Sequence, residues 1–310
     1  MIVKTPSRLH FGIIDLSRSF RRGYGSFGLC LENGYEIEIN SKSDKTLEVK
    51  GDEREKKIVE KVYSLLNEKF DFSGGFEVIV KERIPSHVGL GSTTQMTLGS
   101  GYGMLKAVDQ KVETSELAKI LNRARYSAIG TYGFQYGGFI LEGGKKDKDE
   151  LPPLLFRSKV PEDWRFLIIC PKDMKGYDEQ EERPIMDELR VDKKYAERIC
   201  HNILMGILPA MKEKNIELFG EHLTRIQKTV GESFSEYQEG VYHPAVDEMV
   251  EKLIEKTYGA GQSSWGPTAY GLVRSDQVEE VKENISLVDN DNYRIWIGKP
   301  NNHGATVYVE

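Results

Sequence analysis

Apolar and polar residues alternate over residues 26–31 and again over 35–39, the period-two pattern of strands with one buried face, before a polar turn at 41–45. An antiparallel hairpin or meander is predicted. Ile58, Val59, Val62, Tyr63, Leu65 and Leu66 then recur at helical spacing, Gly74 and Gly75 break the chain, and residues 76–80 form another strand. Residues 93–108 again carry helical spacing, despite Gly99, Gly101 and Gly103. Each glycine costs a helix about 1 kcal/mol relative to alanine, so close packing against another backbone is expected there. A helix over 115 to about 125, a strand over 138–141 and a charged turn over 145–150 complete the first half.

The second half opens on a continuous apolar run, residues 166–171, the pattern of a fully buried strand. Helical spacing follows over 194–212, 216–230 and 243–258. The chain then reads strand, helix, strand, strand over 269–273, 277–285, 293–297 and 305–309. This mixed order predicts an α+β fold, with tightly packed domains over residues 1–160 and 161–310.

With 310 residues, 39% of them apolar, the chain can bury a large core. Its formal charge of -6 excludes broad nucleic-acid binding as the expected role, while leaving room for a small basic pocket. Cys30, Cys170 and Cys200 lack the spacing of a zinc site or a disulfide framework, and no apolar run reaches the roughly 18 residues of a membrane span. A cytoplasmic protein without membrane partners is expected.

The most informative chemistry lies at Pro85-Ser86-His87-Val88-Gly89-Leu90-Gly91-Ser92-Thr93-Thr94-Gln95, between a predicted strand and a predicted helix. Glycines let main-chain N–H groups approach an anion, the helix N-terminus adds partial positive charge, and Ser92, Thr93 and Thr94 add hydroxyl donors. A Gly-Lys-Ser/Thr ending and the third glycine of a dinucleotide fingerprint are both missing. Pro85, Gly89, Leu90, Gly91 and Ser92 instead match the Pro-x-x-x-Gly-Leu-Gly-Ser loop of the GHMP kinases. Residues 5–12 resemble that superfamily's N-terminal segment, and residues 259–268 its C-terminal glycine-rich loop. The resemblance implies a GHMP-kinase-like fold, with a ribosomal-S5-domain-2-like N-terminal domain and a ferredoxin-like C-terminal domain.

Many of these kinases carry a Ser-Gly-x-x-Asp segment whose aspartate serves the acceptor hydroxyl or magnesium. The matching stretch here is Ser127-Ala128-Ile129-Gly130-Thr131, with a neutral threonine in that place. Residues 7–16, 132–140 and 261–268 together resemble the β-ribofuranosylaminobenzene 5′-phosphate synthases of archaeal methanopterin biosynthesis. That likeness implies transfer of ribosyl phosphate from phosphoribosyl pyrophosphate to the ring of 4-aminobenzoate or 4-hydroxybenzoate, with loss of pyrophosphate and carbon dioxide. It also implies magnesium, a homodimer and no organic cofactor.

Charge must then be stabilised on a departing diphosphate and on an oxocarbenium-like sugar. Gly89, Leu90, Gly91, Ser92, Thr93, Thr94 and Gln95 are the candidate phosphate loop, which could hold either phosphate of the donor. Ser7, Arg8, Arg21, Gly261, Gln262, Ser263, Ser264 and Trp265 are further candidates for substrate binding, Gln262 and Trp265 as walls of an aromatic pocket. Arg22 is the preferred clamp for an anion, because a guanidinium matches a planar carboxylate. Asp15, between Ile14 and Leu16, is a candidate to stabilise the sugar cation or move a proton, or else a turn cap. His10 is a candidate for phosphate contact or proton transfer, or else a hydrogen-bonded structural residue. His87, His201, His222, His243 and His303 show no metal-ligand spacing, so the magnesium ligands stay unassigned. An ATP-dependent small-molecule kinase and a non-catalytic ligand-binding paralogue are the competing readings.

Overall fold

In the computed structural model, which describes residues 1–147, 150–174, 176, 179–286 and 292–308, the first half runs β1 (Ile2–Lys4), β2 (Ser7–Asp15), β3 (Tyr24–Leu31), β4 (Glu36–Lys42), β5 (Leu47–Lys50), α1 (Glu53–Phe70), β6 (Gly75–Glu82), α2 (Ser92–Ala107), α3 (Thr114–Ile120), α4 (Ile129–Tyr136), β7 (Phe139–Glu142) and β8 (Leu154–Ser158). The second half runs β9 (Trp164–Pro171), α5 (Glu179–Glu188), α6 (Lys193–Asn202), α7 (Leu208–Glu213), α8 (Ile216–Gln238), α9 (Asp247–Lys256), β10 (Gly259–Gln262), β11 (Ala269–Arg274), α10 (Val278–Ser286), β12 (Tyr293–Gly298) and β13 (Thr306–Tyr308).

Among the described residues the strands form three sheets, ordered β13-β1-β4-β6-β5, β2-β3-β7-β8 and β10-β11-β9-β12. The third is antiparallel throughout, and its first and last strands in sequence, β9 and β12, are neighbours. This is the ferredoxin-like arrangement. The final strand β13 leaves that domain and pairs with β1, so the C-terminal end closes a sheet of the first half.

Local chemistry accounts for the clearest elements. Asp52 and Glu55 form a capping box that starts α1, each side chain accepting a backbone N–H of the other. Gly99 and Gly103 of α2 lie against β-strand side chains, and Gly101 against Val62 of α1 and Leu117 of α3, rather than against the expected backbone. A Cβ on Gly103 would come within 2.1 Å of Ile39 Cδ1, and one on Gly99 within 2.9 Å of Ile37 Cδ1. Glycine there lets α2 lie down on β4, and the contact offsets its helix cost.

Phe11 of β2 joins the two halves. Its ring packs on Phe27 of β3, Phe166 of β9, Phe219 of α8 and Tyr270 of β11, with centroids 5.3 to 6.5 Å apart, and all five are fully buried. Full burial of a large apolar side chain stabilises by about 1.5–3 kcal/mol. The halves therefore share one core around β2.

Some predicted boundaries are corrected. The helix expected to reach residue 125 ends at Ile120, and Asn122 and Ala124 follow with φ of 53° and 63°. The helix predicted over 194–212 is interrupted by a π turn, Ile203–Ile207. The one predicted over 243–258 begins only at Asp247. Lys148, Asp149 and Val309, within the predicted 145–150 turn and the last strand, lie outside the described residues.

Candidate active site

Strand β2 places the N-terminal motif between the two glycine-rich loops. Arg8 N donates to Leu90 O at 3.0 Å, Arg8 Nη1 to Gly89 O at 3.0 Å, and Ser263 Oγ to the same Gly89 carbonyl at 2.7 Å. His10 N donates to Ser263 Oγ, and Ser264 N returns a bond to His10 O, both at 3.0 Å. Gly89 has a φ of 85°, and a Cβ there would lie 2.0 Å from Ser263 O. Glycine is required twice over at this position: for the backbone angle, and for the approach of the 263–266 loop.

Gly91, also left-handed, is the N-cap of α2 without a side-chain cap, so the first N–H groups of that helix stay available to an anion. Arg54 of α1 braces the loop. Its guanidinium donates to Ser86 Oγ at 3.1 Å, Ser92 Oγ at 3.2 Å and Thr93 Oγ1 at 2.5 Å.

Three cavities meet at Ser264, a non-glycine residue with a φ of 58°. The first, about 110 Å³, is walled by Arg8, His87, Gly89, Gly91, Ser92, Thr93, Thr94, Trp265 and Gly266. The second, about 520 Å³, adjoins it at Arg8 and Thr94 and is walled by His10, Ile13, Lys61, Arg123, Arg125, Tyr126, Ser127 and Arg183. It holds five cationic side chains, and no carboxylate lines either cavity among the described residues. Arg125 is partly neutralised from behind by Asp187, Nη2 to Oδ2 2.9 Å. The third cavity is apolar and aromatic, walled by Ile13, Val230, Phe234, Val241, Tyr242 and Trp265, with His10, Gln227 and Gln262 at its polar margin.

A buried hydrogen-bond chain runs behind this junction. His10 Nε2 pairs with Ser127 Oγ at 3.0 Å, Ser127 Oγ with Ser26 Oγ at 2.7 Å, and Ser26 Oγ with Glu142 Oε1. Glu142 Oε2 accepts Gly144 N–H at 2.7 Å. The chain follows from register: Ser26 of β3 lies directly across from Glu142 of β7, and β2, displaced by a bulge between His10 and Gly12, flanks β3. Burial raises the Glu142 carboxyl from 4.5 to about 7, against the lowering effect of Ser26, the Gly144 and Ala128 N–H groups and Lys145. Burial, and then the charge of Arg8, hold the His10 imidazole well below its ordinary value, so it is neutral near pH 7. His10 Nδ1 is buried without a hydrogen-bond partner.

The structure thus gathers Arg8, His10, Gly89, Gly91, Ser92, Thr93, Thr94, Ser264 and Trp265 around the three connected cavities. Ser263 stitches the loops from behind. Gln262 lines the apolar cavity while its side chain bonds His243 N at 2.6 Å and Ser264 O at 3.1 Å. Leu90 is core, and Gln95, fully buried, donates to Gly130 O at 2.8 Å between α2 and α4. Ser7 is buried opposite Leu31, and Gly261 makes room for Gln227.

Arg21 and Arg22 wall a separate cavity of about 260 Å³, which touches the cationic one only through Arg125 and Tyr126, and Arg22 Nη1 is bonded to Gly144 O at 2.7 Å. Asp15 ends β2 in a turn, its Oδ1 accepting from Ser17 N at 2.8 Å, Ser17 Oγ at 2.5 Å and Arg18 N at 3.2 Å. Thr131 is buried in α4 and lines none of the described cavities, so its comparison with a kinase aspartate says nothing about their walls.

Sequence reasoning missed Arg54, Lys61, Arg123, Arg125, Ser127, Glu142 and Arg183. The one usable signal was Arg123-Ala124-Arg125 at the end of a short helical pattern, where a cationic turn and a helix tail look alike. The described walls supply hydroxyls but no carboxylates. They do not form a protein-held magnesium site, which takes one or two carboxylates beside phosphate oxygens.

Residues 57–138 match the GHMP kinases N terminal domain and residues 207–289 the GHMP kinases C terminal region. Over 99% of its length the chain is 32% identical to the β-ribofuranosylphenol 5′-phosphate synthase of Methanocaldococcus jannaschii, all of which is covered. It is 31% identical to the Archaeoglobus fulgidus protein of the same name, over 99% of each chain. Among solved structures, the fold is shared with the mevalonate kinase of Methanococcus jannaschii (TM-score 0.69, 17% identity, 97% of this chain and 98% of that one). It is also shared with Lactococcus lactis galactokinase (TM-score 0.70, 15% identity, 98% and 94%).

Proposed function

Because this chain belongs to the β-ribofuranosylphenol 5′-phosphate synthase family, enzymes built on the GHMP kinase fold, we propose that it transfers ribosyl 5-phosphate from phosphoribosyl pyrophosphate to the ring of 4-hydroxybenzoate, releasing pyrophosphate and carbon dioxide. The observation that carries this reading is the aromatic cavity of Phe234, Tyr242 and Trp265, meeting at Ser264 a glycine-loop cavity and a cavity lined by cationic side chains. A donor with phosphate at two positions and an acceptor ring need three such compartments meeting at one carbon.

In the proposed reaction the ring carbon that bears the carboxylate attacks C1 of the ribose as the C1–O bond to diphosphate breaks. The bond from ring to carboxylate then breaks, its electron pair restores aromaticity, and carbon dioxide leaves. Loop N–H groups and the hydroxyls of Ser92 and Thr93 supply fixed donors where charge accumulates. His10 lines both the apolar and the cationic cavity, and in the proposed reaction its unpartnered ring nitrogen takes the acceptor's hydroxyl proton during attack and returns it after decarboxylation. Magnesium enters with the diphosphate, as part of the substrate.

The apolar cavity has about 30 Å³ of free space, less than the ~150 Å³ that holds a benzene. Ring entry therefore requires this wall to open, and we assign the movement to Trp265, which packs edge-on to Phe234 at 4.8 Å where the apolar and loop cavities adjoin. The reading is tested by offering the purified protein phosphoribosyl pyrophosphate with 4-hydroxybenzoate, 4-aminobenzoate or neither, and in parallel ATP with small alcohols. Benzoate-dependent pyrophosphate release supports it; ATP consumption without that release replaces it with the kinase reading.

A further inference from the structure

We infer that the cavity walled by Lys61, Arg123, Arg125 and Arg183 is a phosphate-monoester site that takes the donor's 5-phosphate together with its ribose, leaving the glycine loop to the diphosphate. The assignment rests on the donor proposed above.

Room decides part of it. The sugar must accompany one of the two phosphates. The loop cavity has about 110 Å³, enough for little beyond a phosphate chain, whereas the cationic cavity has about 520 Å³. With ribose 5-phosphate in the larger space, C1 falls at its mouth by Arg8, Thr94 and Ser264, where both other cavities open.

The donors decide the rest. A leaving diphosphate needs groups that hold it and then let it go, and the loop offers N–H dipoles and hydroxyls. Arg54 lines neither cavity and braces the hydroxyls of Ser86, Ser92 and Thr93, and Arg8, whose Nη1 holds Gly89 O, is shared by both, whereas Lys61, Arg123 and Arg183 line the larger cavity and not the loop cavity. A 5-phosphate keeps its two charges throughout the reaction, so full cations suit it. Arg123 lies between two left-handed non-glycine residues, Asn122 and Ala124, in a turn held by its surroundings rather than by its own preference, and it lines the cavity. Lys61 and Arg183 approach from α1 and α5, so cations from three separate segments line one cavity.

Calorimetric titration with ribose 5-phosphate and with inorganic pyrophosphate tests the assignment on wild type, Lys61→Ala, Arg183→Ala and Ser92→Ala. Lys61 and Arg183 are exposed, so their loss leaves the fold in place even if an Arg123 variant does not fold. The expected result is at least a tenfold loss of ribose 5-phosphate affinity in Lys61→Ala and Arg183→Ala, with pyrophosphate affinity within twofold of wild type, and the opposite pattern in Ser92→Ala. Cavity variants that weaken pyrophosphate more than ribose 5-phosphate overturn the assignment, as does a wild type that binds neither. Binding in the expected pattern without turnover of phosphoribosyl pyrophosphate would instead remove the proposed reaction and leave the site.

Discussion

Replacing Glu142 by Gln keeps the shape of the buried carboxyl and removes its proton chemistry. Its Oε2 is tied to Gly144 N–H, which places the amide oxygen of a Gln there and turns the NH₂ toward Ser26. The variant therefore imitates the protonated acid. In wild type the protonated carboxyl donates to Ser26, Ser26 to Ser127 and Ser127 to His10 Nε2, so the proton of His10 sits on Nδ1. Once Glu142 ionises, the chain reverses, His10 Nε2–H donates, and Nδ1 is left with a lone pair. The groups around the carboxyl are Ser26, the Gly144 and Ala128 N–H groups, Lys145 and Tyr132.

The magnitude follows from the shift of Glu142 from 4.5 to about 7. The folded state holds this proton more tightly than the unfolded chain. Its contribution is therefore complete below pH 4.5 and is lost as pH rises through about 7. At 1.36 kcal/mol per unit, the loss is about 3 kcal/mol. Glu142→Gln has no such proton to lose, so its stability relative to wild type should rise by about that amount between pH 4 and pH 8 in urea unfolding. Nitrogen shifts of His10 should show its proton moving from Nδ1 to Nε2 near pH 7 in wild type and staying on Nδ1 in the variant. Turnover of the variant at pH 8 should match the low-pH level of wild type. Parallel stability curves, or a His10 tautomer that moves identically in both proteins, would rule out a proton chain from Glu142 to His10.

Trp265→Ala should change the KM for the benzoate by at least tenfold, and that for phosphoribosyl pyrophosphate by less, read in steady-state kinetics, because Trp265 packs on Phe234 in the apolar cavity and also borders the loop cavity. Gly89→Ala should push the 263–266 loop from the phosphate loop, costing about 1–3 kcal/mol by thermal unfolding and most of the pyrophosphate affinity by calorimetry. Asp15→Asn and Arg22→Ala are expected to lower turnover without unfolding the protein, by circular dichroism beside activity. Full turnover in either variant would leave Asp15 a turn cap and Arg22 a brace on Gly144.

How much was legible depends on whether a residue's chemistry is local. The Gly89–Ser92 turn was readable because its backbone angles, its helix start and its donors are written within a few consecutive residues. The joining of residues 7–12 and 259–268 to that turn was readable only through family resemblance, since nothing local in either segment shows that His10 N meets Ser263 Oγ. Arg54 was hidden on a capped amphipathic helix, where an arginine facing three loop hydroxyls looks the same as one facing water. Arg123 and Arg125 were absorbed into a helix that their spacing supported. The left-handed Asn122 and Ala124 that end it answer to tertiary packing rather than to helix propensity. Glu142 follows the strand-like run over 138–141, and its burial appears only when β3 brings Ser26 across from it.

The stoichiometry of one reaction tests the proposed ribosyl transfer most directly. With phosphoribosyl pyrophosphate and carboxyl-labelled 4-hydroxybenzoate, the protein should release labelled carbon dioxide and pyrophosphate in a one-to-one ratio, both abolished together by omitting either substrate. Pyrophosphate released while the label stays on the aromatic product, or no release of either from fully folded protein, would contradict it.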